Sequence, residues 1–449
     1  MNKIIHIILI SFFSLTIISC SSEDAEPIIE PISKVGDIVE DVTEETTDVV
    51  EDVTEGTTDV VEDVIEGTTD VVEDVIEETT DIVVGGSSTS SSCNISKASI
   101  VGNAVTEKCS RTDCPVSRIV IWDLDGCMMV VGDSVMGAVD AASHNNSIYI
   151  ADDGGFYWIV GADNKIEKHQ LNYPSGYNNS EVTGISVNSI GDVYVAGMVV
   201  KNRKELTAYW KNGELVKTFS ENTDWYSEKH VAADSNGNVY IPGWRMKSHE
   251  VQYSALWVNG TRKNLTTALD GEATDAVIGS ENAAGTNVWV SGSHGNYNGG
   301  ILATYWRKKS NGQINQTKVT KVKTYSLPKN MVWSSRASSI HVEGGTVYMA
   351  GVVNVINAGD VPVYWEAKTQ HELPVEFNFE TCDRCKAEPN DISTVNGNVI
   401  IVGDYYDEAD KVDSYFSHGE MKAVYWLDKK LHILCESCGS SYAVAVVVH

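Results

Sequence analysis

The sequence predicts an all-β fold in which one four-stranded unit is repeated around a ring. Three observations predict it: a short phrase that keeps returning, a tryptophan that follows each copy, and two incomplete fragments at the ends that complement each other. The phrase reads SIYIAD (147–152), DVYVAG (192–197), NVYIPG (238–243), NVWVSG (287–292), TVYMAG (346–351) and NVIIVG (398–403). Its alternation of apolar and polar residues, closed by a turn residue, is that of a half-buried strand. The tryptophans that follow are Trp158, Trp210, Trp257, Trp306, Trp365 and Trp426, at steps of 52, 47, 49, 59 and 61 residues. Propeller blades of four short strands repeat at about this spacing.

Each unit can be read strand by strand. A short apolar run precedes the phrase, as in GISVNS (184–189) and SSIHVEG (338–344), and supplies strand one. The phrase is strand two, and the aromatic segment ending in Trp is strand three. A turn and a polar run, as in YWKNGELVKTF (209–219), give strand four. The N-terminal copy, ASIVG (98–102) followed by RIVIWDLDGCMMV (118–130) with Trp122, lacks a first strand. The C-terminus, SSYAVAVVVH (440–449), is a first strand with nothing after it. Joined, they complete a seventh blade, since ring closure removes open sheet edges. The expectation is a seven-bladed β-propeller over residues 93–449, its Trp and Tyr residues packing the blades.

Ahead of it lie two other segments. Residues 1–19 have a basic start and an apolar run, IIHIILISFFSLTII (4–18), as in an export signal. IISC (17–20) resembles the lipobox of bacterial lipoproteins, which implies cleavage before Cys20 and its lipidation. SSEDAEP (21–27) resembles the acidic tag of Bacteroidota lipoproteins displayed on the outer membrane. Residues 20–92 then carry four eleven-residue copies, beginning with VEDVTEETTDV (39–49), and the joint GGSSTSSS (85–92). Eleven residues keep apolar positions on one helix face, but paired Thr, β-branched Val and unpartnered acids oppose a stable helix. The segment is expected to be a solvated, self-repelling spacer with transient helix, tethering the propeller to a lipid membrane.

The net charge of −30 is concentrated there, because residues 21–84 hold 23 acidic side chains and one basic. The imbalance therefore does not describe a face of the folded domain. Nucleic acid is not expected as a partner, since phosphate binding needs clustered Lys and Arg.

AYWKNGEL (208–215) and AVYWLDKKLHIL (423–434) give the units a further likeness. They resemble the extracellular HAF repeats, over most of residues 98–447. That resemblance implies a propeller in an exported bacterial protein and brings no activity with it.

Besides Cys20 there are eight cysteines: Cys93, Cys109, Cys114, Cys127, Cys382, Cys385, Cys435 and Cys438. An even number in an exported chain points to disulfides. CDRC (382–385) and CESC (435–438) also have the form of a split zinc site or a redox dithiol. Both hooks fall between the last strand of one unit and the first of the next, which favours loop disulfides over metal. No cofactor is expected.

No zinc-hydrolase, nucleophile-elbow or phosphate-loop motif occurs in the sequence. ADDGGFYW (151–158) resembles a single Asp box of sialidase-type propellers, lacks its first Ser/Thr, and reads as a tight turn. One position recurs in register before the first strands: Glu181, Glu228, Glu272, Arg336 and Glu388. These residues either ring the channel mouth, where they would bind a cation or cationic ligand, or hold neighbouring blades together. Aromatic and basic residues expected on the connecting loops of that face are Trp225, Tyr226, Trp244, Arg245, Trp333, Tyr405 and Tyr406, with Tyr173 and Tyr177. The expected function is non-enzymatic binding of a glycan or protein at the cell surface. The alternatives are a glycan-active hydrolase or lyase using the mouth carboxylates and a subunit of a surface assembly.

Overall fold

The structure, a computed structural model, describes residues 98–105, 117–134, 136–219, 230–248, 251–266, 271–282, 285–295, 301–319, 332–355, 359–375, 386–406, 421–436, 438 and 440–449. All lie in one unit, Ser92–His449. The signal segment, Cys20 and the acidic spacer fall outside the described residues, as do Cys93, Cys109, Cys114, Cys382, Cys385, Trp225, Tyr226 and Glu228.

The described residues form twenty-eight strands in seven four-stranded sheets. The blade at the chain ends holds β1 (Ala98–Ala104), β2 (Arg118–Asp123) and β3 (Met128–Asp133). The second holds β4 (Ala138–His144), β5 (Ser147–Asp152), β6 (Phe156–Val160) and β7 (Ile166–Gln170). The third holds β8 (Tyr177–Val187), β9 (Val193–Lys201), β10 (Lys204–Lys211) and β11 (Glu214–Phe219). In the fourth are β12 (Ala232–Ala233), β13 (Val239–Ser248), β14 (Val251–Val258) and β15 (Thr261–Asn264). In the fifth are β16 (Glu272–Asn282), β17 (Gly285–Gly295), β18 (Ile301–Lys308) and β19 (Ile314–Lys318). The sixth comprises β20 (Val332–Glu343), β21 (Thr346–Val355), β22 (Gly359–Glu366) and β23 (Thr369–Glu372). The seventh comprises β24 (Lys386–Val395), β25 (Asn398–Tyr406), β26 (Lys422–Leu427) and β27 (Lys430–Ile433).

The last strand, β28 (Ser441–Val448), returns to the first blade and pairs antiparallel with β1, from Ala98↔Val448 to Ala104↔Ser441. The ring is closed by the two ends of the chain, and no blade is left without its inner strand. The outermost strands carry the charged and polar residues, as in IEKHQ of β7 and TRKN of β15, which blunts the remaining edges.

Every blade buries the tryptophan of its third strand: Trp122, Trp158, Trp210, Trp257, Trp306, Trp365 and Trp426. Each lies in a core cluster that includes residues of an adjoining blade, such as Trp122 with Ile400 and Tyr425. A large flat side chain suits the space between two twisted sheets, and its burial removes water from the joint.

Six of the seven first strands carry a β-bulge among the described residues. Register shifts fall at Ala138/Asp140, Val182/Gly184, Ala273/Asp275, Ala337/Ser339 and Pro389/Asp391, and also on β28, where Val101 pairs with Ala445 but Gly102 with Ala443. The extra residues are therefore Val139, Thr183, Thr274, Ser338, Asn390 and Val444. A bulge turns the strand and re-aims the side chains beside it, and here it aims them at the ring axis and the next blade.

Candidate functional site

The bulge residues of three blades hold the blades that follow them. Thr274 Oγ1 donates to the Ala337 carbonyl at 2.8 Å, Ser338 Oγ to that of Pro389 at 2.5 Å, and Asn390 Nδ2 to that of Ala443 at 2.9 Å. The residue after each bulge, together with His230 two positions before the Ala232↔Tyr240 pair of the fourth blade, forms a layer. Its members in register, blade by blade, are Ala445, Asp140, Gly184, His230, Asp275, Ser339 and Asp391.

The three aspartates act alike. Each accepts the amide of the following residue: Ala141 on Asp140 at 2.8 Å, Ala276 on Asp275 at 2.6 Å, Ile392 on Asp391 at 2.8 Å. Each also accepts an amide of the next blade: Ile185 at 2.8 Å, Ile340 at 2.9 Å and Val446 at 2.9 Å. Asp391 thereby grips the closing strand itself.

His230, only 9% exposed, sits between blades with Nδ1 at 3.3 Å from Asp140 Oδ1 and 3.7 Å from Asp275 Oδ1. Burial opposes its charge, but Asp275 and Asp140 outweigh that and push its pKa up to about 10. Desolvation raises Asp140 despite the imidazolium beside it, and raises Asp391 to about 6. A histidine held protonated at neutral pH is a poor general base there. The carboxylates, for their part, are engaged in holding blades.

Two cavities lie at this end of the first strands. On the side where first strands begin, Glu272, Thr274, Arg336, Ser338, Glu388 and Asn390 line one of about 250 Å³. The layer's own Asp140, His230, Asp275 and Asp391 line the other, an open cavity of about 300 Å³, together with apolar side chains such as Ile185, Val231 and Ile340.

Of the recurring mouth position, then, the structure brings Glu272, Arg336 and Glu388 together. Arg336 Nη2 lies 2.9 Å from Glu388 Oε1 and 3.8 Å from Asp360, and Lys386 Nζ lies 2.7 Å from the same Glu388 oxygen. Glu272 makes no ion pair among the described residues. Glu181 is exposed at the same register in the third blade, where desolvation, with Asp153 and Glu205 nearby, holds its carboxyl above the usual range. The first blade adds a member the sequence did not reveal: Tyr442 of β28, 38% exposed, occupies this position opposite Asn103.

The aromatic set is placed differently from the expectation. Tyr405 and Tyr406 are buried in the seventh blade, with Tyr405 in its core. Trp244 and Arg245 are partly buried within β13, and Trp333 lies within β20. For Trp244, Arg245, Tyr405 and Tyr406 the reason is strand length. The second strands continue past the recurring glycine for several residues, so positions expected in loops remain in the sheet. Tyr177 opens β8 and stacks under Lys201 at 4.4 Å, and Tyr173 packs edge-on against Trp210.

Among the hooks, Cys435 and Cys438 form a disulfide. Cys127 is disulfide-bonded as well. The ADDGG segment is a tight turn, with Asp152 Oδ1 accepting the Gly154 amide at 2.9 Å and the Ser134 hydroxyl at 2.7 Å.

Fold and site define the class: a closed seven-bladed β-propeller whose inner strands carry a polar layer, with an open polar mouth on one side. No protein-family model matches the chain, and no curated protein matches it. Among solved structures it is similar to a catalytically inactive virginiamycin B lyase from Staphylococcus aureus with quinupristin, at 10% identity over 77% of this chain and 96% of that one, TM-score 0.38. It is also similar to a periplasmic gluconolactonase of Pseudomonas aeruginosa, at 10% identity over 77% and 97%, TM-score 0.40. A puromycin-hydrolyzing peptidase of Mycobacterium tuberculosis is similar at 9% identity over 72% and 50%, TM-score 0.44.

Proposed function

We propose that this protein is a lipid-anchored binding propeller that takes a glycan at the mouth of its channel without transforming it. Lipidation at Cys20 and the acidic spacer hold the ring away from the bacterial outer membrane, on the cell surface. One observation carries the reading of the ring. Glu272, Arg336 and Glu388, from three successive blades, face a single open cavity of about 250 Å³ together with two hydroxyls and an amide, Thr274, Ser338 and Asn390.

Arg336 offers donors, and the carboxylates and the lone pairs of Thr274 and Ser338 offer acceptors, of the kind sugar hydroxyls use, and Tyr442 supplies an exposed ring at the same level for a sugar face to stack on. The deeper carboxylates are committed to the blades, and His230 stays charged. The geometry therefore supports recognition over turnover.

The test is a glycan array probed with the purified chain, alongside its Arg336→Ala and Tyr442→Ala variants. The expected result is retention of one glycan class by the native protein and loss in both variants. Binding that persists in both variants, capture of a protein with no glycan bound, or turnover of a bound glycan overturns the reading.

A further inference from the structure

The side chain of Ser339 lies between two carboxylates. Its Oγ is 2.6 Å from Asp391 Oδ1 and 2.9 Å from Asp275 Oδ2, both hydrogen-bonding distances. A serine hydroxyl has a single hydrogen and can donate to only one of them. If both carboxylates are ionised, the remaining contact brings oxygen lone pairs together with no proton between them. Ser339 is fully buried, Asp275 nearly so and Asp391 half-buried at the cavity, so water screens that repulsion only in part.

We propose that this bridge is a proton-binding site, in which Asp391 takes up a proton from solvent and holds it toward Ser339. With that proton the chain is complete: the Asp391 carboxyl donates to Ser339 Oγ, and Ser339 donates to Asp275 Oδ2. Asp391 keeps its two amide contacts, from Ile392 and from Val446 of the closing strand. The proton therefore sits at the joint where the ring is shut, linking the fifth, sixth, seventh and first blades.

The surroundings agree. Three aspartates, Asp140 on β4, Asp275 on β16 and Asp391 on β24, share one imidazolium, His230, which lies nearer the other two. On β20, burial holds His341 below its usual range, and it adds no cation. From β28 only backbone reaches Asp391. Desolvation, with Asp275 nearby, outweighs the pull of His230 and of hydrogen bonds donated by Ser339 and the Val446 amide, and lifts Asp391 from 3.8 to about 6.

The sign of the linkage follows. A carboxyl whose pKa is raised in the folded state binds its proton more tightly folded than unfolded. Stability from it is full below the unfolded value and is lost as pH rises through about 6. The shift corresponds to roughly a hundredfold change in the folded-to-unfolded ratio across that window.

The experiment uses the full chain. Its melting temperature is followed from pH 8 to pH 5, and an infrared titration over the same range looks for the carbonyl band of a protonated, buried carboxyl. Native protein should melt higher as pH falls, and the band should grow in with a midpoint near 6. In Asp391→Asn the component of the band with a midpoint near 6 should be gone, and the rise in melting temperature through pH 6 flattened. In Ser339→Ala, which keeps every titrating group but removes the bridge, the midpoint should move to lower pH. Absence of the band in native protein, persistence of that component in Asp391→Asn, or an unmoved midpoint in Ser339→Ala overturns the proposal. If Asp391→Asn does not fold, the shift of the midpoint between native protein and Ser339→Ala decides.

Discussion

The carbonyl oxygen of Glu181 packs directly over Gly197, where a Cβ would stand 2.1 Å from it. The relationship is repeated by Glu272 over Gly292 at 2.0 Å, Arg336 over Gly351 at 2.1 Å and Glu388 over Gly403 at 2.1 Å. The glycine that ends the recurring phrase and the charged residue of the mouth are thus one feature, created by the bulge in the first strand. A side chain at any of these four glycines would push the first strand off the second, whereas in the second blade the position is held by Asp152.

Gly351→Ala follows directly from this. Because the obstacle is backbone, it cannot rotate away, and the expected loss is about 1–3 kcal/mol. Urea unfolding of the two proteins measures it. A midpoint unchanged by the substitution would show that the bulge can relax.

His230→Gln removes the imidazolium and leaves Asp140 and Asp275 buried without their shared cation. Loss of one partner from such a cluster costs about 3–5 kcal/mol. The pH dependence distinguishes charge from packing. The folded pKa of His230, about 10, lies above its unfolded value of 6.5. Its contribution is full below pH 6.5 and fades as pH rises through 10. The gap between native and variant melting temperatures should be widest near pH 6 and narrow toward pH 10. A gap of constant width means that His230 only fills space.

Cys435→Ser opens a disulfide that closes a loop of three residues in sequence separation, just before the closing strand. Loop closure this short stabilises by only about 2 kcal/mol. The variant should fold and bind as the native protein does and melt a few degrees lower. Loss of the fold would assign the bridge a larger part in closure.

Much of this architecture was legible in the sequence. The seven tryptophans are spaced by the blade, and SSYAVAVVVH and ASIVG could be matched because a lone first strand and a unit lacking one are complementary. The mouth residues were legible too, since Glu181, Glu272, Arg336 and Glu388 keep a constant offset from their strands. The layer was not. Its seven positions hold Ala, Asp, Gly, His, Asp, Ser and Asp, so no residue type repeats often enough to stand out. Asp140, Asp275 and Asp391 fall in step only when the bulge fixes the register. Tyr405 and Tyr406 were read as loop residues because the glycine looks like a strand end. In the structure it is the point where a neighbouring carbonyl passes over a strand that runs on.

Closure is the claim on which mouth, layer and proton site all depend, and hydrogen exchange tests it without altering the protein. The amides of 441–448 should exchange as slowly as those of 98–104, since each strand is the other's partner, and both should be released only with global unfolding. Rapid exchange in the C-terminal segment, with 98–104 still protected, would contradict a closed ring and leave the first blade without its inner strand.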